Sequence, residues 1–462
     1  MCLKILKNNF IKLKRMGLNE MKIMWKKHTK LSLALAVCFT PALAHATNGL
    51  FMIGYGNKSR AMGGVSIATP LDTLSAASNP ATISGMGDQF DIGMDIFVAE
   101  VEAQLGSVTA ESEASINGLG LENTFFMPAL GITYQYSDDI TLGFSMVPVG
   151  GGGTLFRTNF FNAAAAGTTN VSNINDKLGV DLSIAEMNTT IAYKINENNH
   201  VGASFVVGIA RFNAYGLGLF DNFTQTQGST DNFTNQGKDW TGGVGMQFGW
   251  MGTYDNLTLG AEYTSKVYMD EFDRYTELFA ESGKFDIPAS VGLGISYKVM
   301  PELLVALDVT YTFYEDVKAV SNLGPNLAGD PTGPLGPPAE GRRLGLDNGL
   351  GFGWTNQTVF KLGLQYDLSQ SFILRAGWNY GESPINESRE IIFNLLAPAT
   401  AENHLTLGGT YIIDEDMELN FSYVHAFENE QFGPTYISDD GSNFGRIKMT
   451  QNSVGGSLSW KF

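Results

Sequence analysis

Residues 78–98, SNPATISGMGDQFDIGMDIFV, contain the transition that decides the fold. The stretch begins with a turn of small residues, Ser78-Asn79-Pro80-Ala81, and then becomes regular. Its apolar side chains stand at every second position: Phe90, Ile92, Met94, Ile96 and Val98. A hydrophobic period of two predicts a β-strand with two different faces.

The same alternation recurs along the chain, at 140–146, 201–209, 291–299, 303–313, 405–413 and 417–423. Tight turns at 137–139, 196–199, 255–256, 300–302, 369–370 and 414–416 alternate with long loops near 105–120, 154–180, 213–238, 270–286, 315–352, 383–402 and 428–446. Six turns and seven loops connect fourteen strands. An even strand number, with short turns at one end and long loops at the other, is typical of outer-membrane β-barrels.

Aromatic residues support a membrane location. Seven tyrosines stand beside the tight turns: Tyr134, Tyr136, Tyr193, Tyr254, Tyr297, Tyr366 and Tyr411. Such residues form girdles at the lipid–water boundary. A secreted soluble β-sandwich would also alternate, but it does not account for the turn asymmetry and the tyrosines together. The sequence therefore predicts an all-β fold, a 14-stranded antiparallel transmembrane β-barrel, closed because lipid offers no hydrogen-bond partners to a sheet edge.

The N-terminus carries an export signal. Lysines precede the apolar run LSLALAVCF, and Ala44 and Ala46 have signal-peptidase spacing, so residues 1–46 are predicted to be a Sec signal peptide cleaved after Ala46. The true start could be Met21 or Met24. Residues 1–46 hold nine of the 29 basic residues, one of the 47 acidic residues and both cysteines. The processed chain then has 20 basic and 46 acidic residues, which argues against a nucleic-acid partner, and no disulfide.

Residues 47–87 lack a long alternating strand and are rich in small residues and turn formers. We expect them to form a hatch, a compact plug in the lumen of a barrel formed by residues 88–462, because fourteen strands enclose more space than their own side chains fill. Asn79, Pro80 and Ala81 would end the hatch and direct the chain into the wall. The alternative is an ordinary N-terminal arm.

The chain resembles the FadL/TodX outer-membrane transporters of long-chain fatty acids and hydrophobic aromatic compounds. The resemblance is strongest in SRAMGGVSIATPLDTLSAASNPA (59–81), PASVGLGISY (288–297), LRAGWNYGESPINES (374–388) and HLTLGGTY (404–411). It implies a hatch marked by Asn-Pro-Ala in a fourteen-stranded barrel. It also implies capture of a hydrophobic ligand at the outer loops, a binding pocket in the barrel, and sideways exit into the membrane where the third strand is kinked.

The third strand, ITLGFSMVPVGGGGTLF (140–156), fits that expectation. It starts with clean alternation and then contains Pro148, Gly150, Gly151, Gly152 and Gly153. Proline removes a ladder donor, and glycines weaken or bulge a strand. We therefore predict a gap in strand pairing here. The alternative is that 148–153 begin an extracellular loop.

Ligand contacts are predicted in two places. Apolar residues of the outer loops, Leu155, Phe156, Phe160 and Phe161 together with the range 212–223, could receive the ligand or anchor the barrel at the interface. The candidate cations that would bind the carboxylate of a fatty-acid cargo are Arg211, Lys361 and Arg375. Alternation points Lys361 and Arg375 inward. Arg211 matches, by the resemblance, a basic ligand contact of fatty-acid members, but alternation places it on the lipid face, so it needs a bulge or an interface position.

No enzyme, metal or cofactor is predicted, since the mature histidines His200, His404 and His425 are scattered and no catalytic triad stands out. The expected partners are a hydrophobic small molecule, outer-membrane lipid with lipopolysaccharide, and the barrel-assembly machinery through the C-terminal Phe462. The predicted function is passive uptake of hydrophobic molecules. The alternative is a general porin, or an adhesin or receptor barrel that displays the proline-rich loop 323–341.

Overall fold

The computed structural model describes residues 48–114, 123–165, 176–325, 338, 340–386, 390–435 and 444–462. The predicted signal peptide lies outside these residues. Within the described ranges no helix has the length and apolar character needed to cross a membrane.

Fourteen strands form the wall, and each is antiparallel to its neighbours. They are β1 Gln89–Leu105, β2 Thr124–Gln135, β3 Ile140–Phe156, β4 Leu178–Lys194, β5 Asn199–Tyr215, β6 Asp239–Tyr254, β7 Leu257–Thr264, β8 Ser290–Met300, β9 Leu303–Thr312, β10 Gln357–Ser369, β11 Phe372–Gly381, β12 Asn403–Ile412, β13 Met417–Pro434 and β14 Phe444–Lys461. The last strand pairs with the first from Gln89↔Lys461 to Leu105↔Gly445, which closes the barrel. The predicted fold class and the six tight turns are confirmed.

The remaining elements are short. Two extra strands, Val108–Glu111 and Tyr268–Met269, pair with the outer parts of β1 and β6. Helical turns occupy Asn57–Arg60, Phe160–Ala165, Ala280–Gly283, Lys318–Ser321 and Ile391–Asn394, with 3-10 turns at Thr73–Ala77, Pro80–Ile83, Gly218–Phe223, Asp273–Tyr275, Tyr314–Asp316 and Glu340–Arg342. Apart from the turns in residues 57–83, the helical turns belong to the long loops.

The outer face of the wall is apolar. Alternate side chains such as Phe205, Leu293 and Leu407 are 47 %, 67 % and 50 % exposed. The seven tyrosines beside the tight turns are between 41 % and 54 % exposed. An apolar surface that continues round a closed sheet suits a lipid environment, with the tyrosines at one boundary.

Residues 48–87, here called the hatch segment, lie against the inner face of the wall and are almost entirely buried. Their backbone and side chains hydrogen-bond to strands around the whole circumference. Wall partners are Asp91 and Asp95 on β1, Gln247 and Trp250 on β6, Asp308 on β9, Thr406 on β12 and Ser453 on β14. Partners on so many strands are consistent with the predicted hatch.

Glycines in the wall make room for this segment. A β-carbon on any of thirteen wall glycines would come within 3 Å of a hatch-segment atom, which real packing does not allow. They are Gly93, Gly131, Gly143, Gly150, Gly202, Gly249, Gly260, Gly292, Gly294, Gly363, Gly377, Gly408 and Gly455. Eleven of the fourteen strands contribute, so the wall and the hatch segment are shaped to each other.

Candidate functional site

The wall is incomplete between β2 and β3. These strands pair only from Leu130↔Met146 to Gln135↔Thr141. Beyond that point, among the fourteen wall strands, residues 124–129 pair with β1 alone, and residues 147–156 pair with β4 alone. The β3–β4 register also shifts between Pro148 and Gly150. The structure therefore has a break in the ladder where the sequence predicted one.

The residues of the predicted kink belong to the strand. β3 continues to Phe156, so Pro148 and Gly150–Gly153 do not begin the loop, and the loop interpretation is wrong. Proline has no N–H for the ladder, and the break begins just before Pro148. A β-carbon at Gly152 would meet open space, while one at Gly150 would collide with the Leu50 carbonyl.

The start of the hatch segment lines the inner side of the kink. Met52 N–H donates to the Val149 carbonyl at 3.0 Å, and Gly151 N–H donates to the Leu50 carbonyl at 3.2 Å. Phe51 and Gly150 face each other between these two hydrogen bonds. Residues 48–52 thus act as a short extra strand on β3.

Tyr314 fastens this short strand from the opposite side. Its hydroxyl accepts from Leu50 N–H at 2.8 Å and donates to the Asn48 carbonyl at 3.0 Å. Burial raises the pKa of this loop tyrosine well above its usual value, so the hydroxyl stays protonated and can donate. Tyr314 also packs edge-on against Trp354, with ring centroids 5.3 Å apart.

An apolar cavity, here called the kink cavity, adjoins the break. Its volume is about 50 Å³. Gly151 and Gly152 form one side of it, and Leu50 forms another. The other lining residues are Gly49, Val180, Leu182, Phe212, Phe279, Phe285, Val320, Phe352, Trp354, Ala397, Pro398, Ala399 and Met449.

A second cavity, here called the loop cavity, lies next to the first. The two share Val180, Phe212, Phe279 and Phe352 as lining residues, so they are immediate neighbours. Leu217, Phe220, Phe233, Leu278, Leu344 and Phe393 add apolar loop residues to the loop cavity. Among the described residues, no ionisable side chain lines either cavity.

Four of the predicted loop contacts pack beside the cavities and do not line them: Leu155, Phe156, Phe160 and Phe161. Phe156, Phe160 and Phe161 are completely buried and form an edge-on series with centroids 5.1 and 4.8 Å apart. The series continues from Phe161 to Phe220, a lining residue from the predicted range 212–223, at 5.0 Å. Leu155 is half-buried against the same core. A direct ligand contact for these four residues stays a prediction, since none of them lines either cavity.

Arg211 lies on the outer side of β5, as alternation predicts, and the register of β5 is continuous, so no bulge is needed. It is 2 % exposed because Asp181 pairs with it at 3.1 Å and the Trp240 ring covers it at 5.7 Å. The alternative of a bulge is therefore wrong, and the interface position stays a prediction. Arg211 is outside both apolar cavities, and its ligand contact stays a prediction.

Lys361 and Arg375 point inward, as alternation predicts. Lys361 donates to the Gly64 carbonyl at 3.4 Å. Arg375 hydrogen-bonds to Gln365 at 2.9 Å and to Thr410. Lys361 thus contacts the hatch segment, and Arg375 contacts the two neighbouring wall strands. Neither residue lines the kink cavity or the loop cavity, so a role in ligand binding stays a prediction.

The Asn-Pro-Ala motif fixes the hatch segment to β6. Asn79 is completely buried; its Oδ1 accepts from Ala81 N–H at 3.0 Å and caps the turn Pro80–Ile83. Its Nδ2 donates to the carbonyls of Ile67 at 2.7 Å and Trp250 at 3.1 Å. Every hydrogen-bonding atom of the side chain is thus in use.

Comparisons with known proteins agree with this geometry. The fold is similar to the P. putida toluene transporter TodX (TM-score 0.64, 21 % identity, 89 % of this chain and 99 % of that one) and the Ralstonia pickettii toluene transporter TbuX (0.62, 18 %, 89 % and 99 %). The fold is also similar to a Pseudomonas aeruginosa FadL homologue, with a TM-score of 0.61 and 14 % identity, over 90 % of this chain and 100 % of that one.

One curated relative, an uncharacterized Chlorobium limicola protein encoded beside a phosphoenolpyruvate carboxykinase gene, is 31 % identical over 97 residues. The match spans 20 % of this chain and about half, 48 %, of that protein. The model of the family described as outer membrane protein transport protein (OMPP1/FadL/TodX) matches residues 34–433. Because that match covers most of the chain, the chain belongs to the OMPP1/FadL/TodX family of outer-membrane transport proteins.

Proposed function

We propose that this barrel carries uncharged hydrophobic molecules passively across the outer membrane. Cargo enters the loop cavity, passes to the kink cavity, and leaves sideways into the membrane through the break between β2 and β3. The observation that carries this proposal is the missing β2–β3 pairing beyond Met146 beside a cavity lined by Gly151 and Gly152. The hatch segment plugs the lumen and directs cargo to the side.

The physical reason for a lateral route is the hydrophobic effect. A hydrocarbon loses roughly 0.8 kcal/mol for each methylene that returns to water. The two neighbouring cavities both offer apolar contact, with Phe212 and Phe352 lining both. An exit into lipid keeps the cargo out of water, whereas a water-filled pore through the lumen would not.

The cavity lining favours uncharged cargo over fatty-acid carboxylates. A carboxylate buried without a partner is strongly disfavoured, and among the described residues Arg211, Lys361 and Arg375 all lie outside the two cavities. The structural relatives from P. putida and R. pickettii carry the description of toluene transporters, which supports a small aromatic hydrocarbon as cargo. A porin function is disfavoured by the packing of the hatch segment against the wall.

The proposed partners follow the same location. Lipid contacts the apolar outer face, and lipopolysaccharide meets the outer loops. Phe462, 61 % exposed at the end of β14, is proposed as the contact for the barrel-assembly machinery.

The test is uptake of labelled toluene by cells or vesicles carrying the protein. Pro148→Thr with Gly152→Val restores a ladder donor and adds a side chain where the space is open. Uptake should fall at least tenfold. Gly341→Val, also in open space but in an outer loop, is the matched control and should transport normally. Equal uptake by both variants would overturn lateral exit, and release of small sugars by the unmodified barrel would indicate a porin.

A further inference from the structure

A third cavity, here called the hatch chamber, lies on the other side of residues 48–52. Phe51 and Met52 of the hatch segment and Ile287 and Val359 of the wall side form apolar walls. Unlike the kink cavity, the chamber is also lined by charged and amide side chains: Glu186, Gln247, Glu262, Gln357 and Lys361. The proposed hydrocarbon route does not use it.

The amide groups of the chamber present unused acceptors. Gln247 donates its Nε2 to the Ala77 carbonyl at 3.1 Å, and Gln357 donates its Nε2 to the Glu382 carbonyl at 2.7 Å. These bonds fix the orientation of both amides, and both Oε1 atoms remain without a partner although the side chains are 3 % and 2 % exposed. The Oδ1 of Asn48, 4 % exposed, is unpartnered as well. Buried acceptors in this number require donors.

The charges of the chamber point the same way. Within the part of the chain that the structure describes, Glu186 receives no hydrogen bond or ion pair, and the Glu262 carboxylate accepts a hydrogen bond only from Thr264, at 3.1 Å. Among the described residues, Lys361 is the one cation that lines the chamber. A buried carboxyl without a cation beside it tends to stay protonated, and an ammonium ion that enters the chamber would supply the positive charge beside which Glu186 can ionise.

We propose that the hatch chamber binds a primary organic ammonium ion that carries a small apolar group. An ammonium group has three donors and no acceptor, which matches the Glu186 carboxylate and the free amide oxygens. The apolar body would lie against Phe51, Ile287 and Val359. The barrel would then have two separate sites, an uncharged one at the kink and a cation-selective one beside the hatch segment.

The proposal is tested by titration calorimetry of the full barrel in detergent with benzylamine, benzyl alcohol and toluene. Benzylamine should bind at least tenfold more tightly than benzyl alcohol, which has the same ring but no charge. Glu186→Gln should weaken benzylamine binding about tenfold and leave toluene binding unchanged. Glu302→Gln, at the tight turn between β8 and β9, is the matched control and should change neither.

Three results would overturn the proposal. Equal affinity for benzylamine and benzyl alcohol would mean that water molecules, and not an ammonium ion, donate hydrogen bonds to the free acceptors of the chamber. Benzylamine binding that survives both Glu186→Gln and Glu262→Gln would place the amine elsewhere. Competition between toluene and benzylamine would show that the two ligands share one site. Normal toluene binding by the variants shows that they are folded, and the comparison of the two ligands on the unmodified protein needs no variant. Failure of toluene alone to bind would count against the proposed function and not against this site.

Discussion

The Tyr314 hydroxyl holds the first residues of the hatch segment, and Tyr314→Phe removes it without removing the ring. Leu50 N–H and the Asn48 carbonyl then lose their shared partner. Both groups are buried, and a buried polar group without a hydrogen bond costs about 1–3 kcal/mol. With about 1 kcal/mol for each group, residues 48–52 should lose about 2 kcal/mol of stability and detach about 30-fold more often.

Hydrogen exchange measures this detachment directly. The amides of Leu50 and Met52 should exchange about 30-fold faster in Tyr314→Phe, while amides in the β9–β10 ladder keep their rates. Toluene uptake should rise, because detachment uncovers the inner side of the break. Tyr311→Phe, which removes a hydroxyl from β9 and leaves residues 48–52 untouched, is the control. Unchanged exchange at Leu50 and Met52 would refute the role of Tyr314.

Three further predictions concern the attachment of residues 48–52 to β3, the packing of the hatch segment, and the apolar cavities. The double variant Met52→Cys with Val149→Cys places two thiols on adjacent strands, next to the Phe51–Gly150 pair. Oxidation to a disulfide should stop toluene uptake, and a reductant should restore it. Equal uptake in the oxidised and reduced forms would contradict the idea that residues 48–52 must detach for transport. Gly249→Val should displace Asn79 and make the barrel leak small sugars, whereas Gly152→Val should not; a tight Gly249→Val barrel would contradict the packing argument. Val180→Thr should weaken toluene binding about fivefold by placing a hydroxyl in the apolar space, by roughly 1 kcal/mol; calorimetry should show no change for Val454→Thr on the outer face, and equal affinity for Val180→Thr would argue against the cavities as the binding site.

The strand order could be predicted from the sequence because its signals are local. Alternation from Phe90 to Val98 and turns such as 255–256 depend on neighbouring residues only. Pro148 and the glycines after it marked the break for the same reason. The orientation of Arg211, Lys361 and Arg375 followed from alternation alone.

The cavity lining could not be predicted in the same way. Phe279, Phe285, Phe352 and Trp354 come from loops that have no period, and tertiary packing decides which loop aromatics face inward. Glu186 and Glu262 look like ordinary polar positions of a strand until the chamber between them and Lys361 is known. Wall glycines such as Gly202 read as weak points of a strand, yet their role is to admit the hatch segment.

The lateral route is tested most directly by photocrosslinking in intact membranes. A toluene analogue with a diazirine group would be activated during uptake, and the labelled residues would be identified by mass spectrometry. We expect label on Phe212 and Phe279 in the cavities and on Met127 and Val147 beside the break. Label on Ala77, Ser78 and Glu186 in the hatch chamber, with none at the break, would show that cargo passes through the lumen and would contradict exit between β2 and β3.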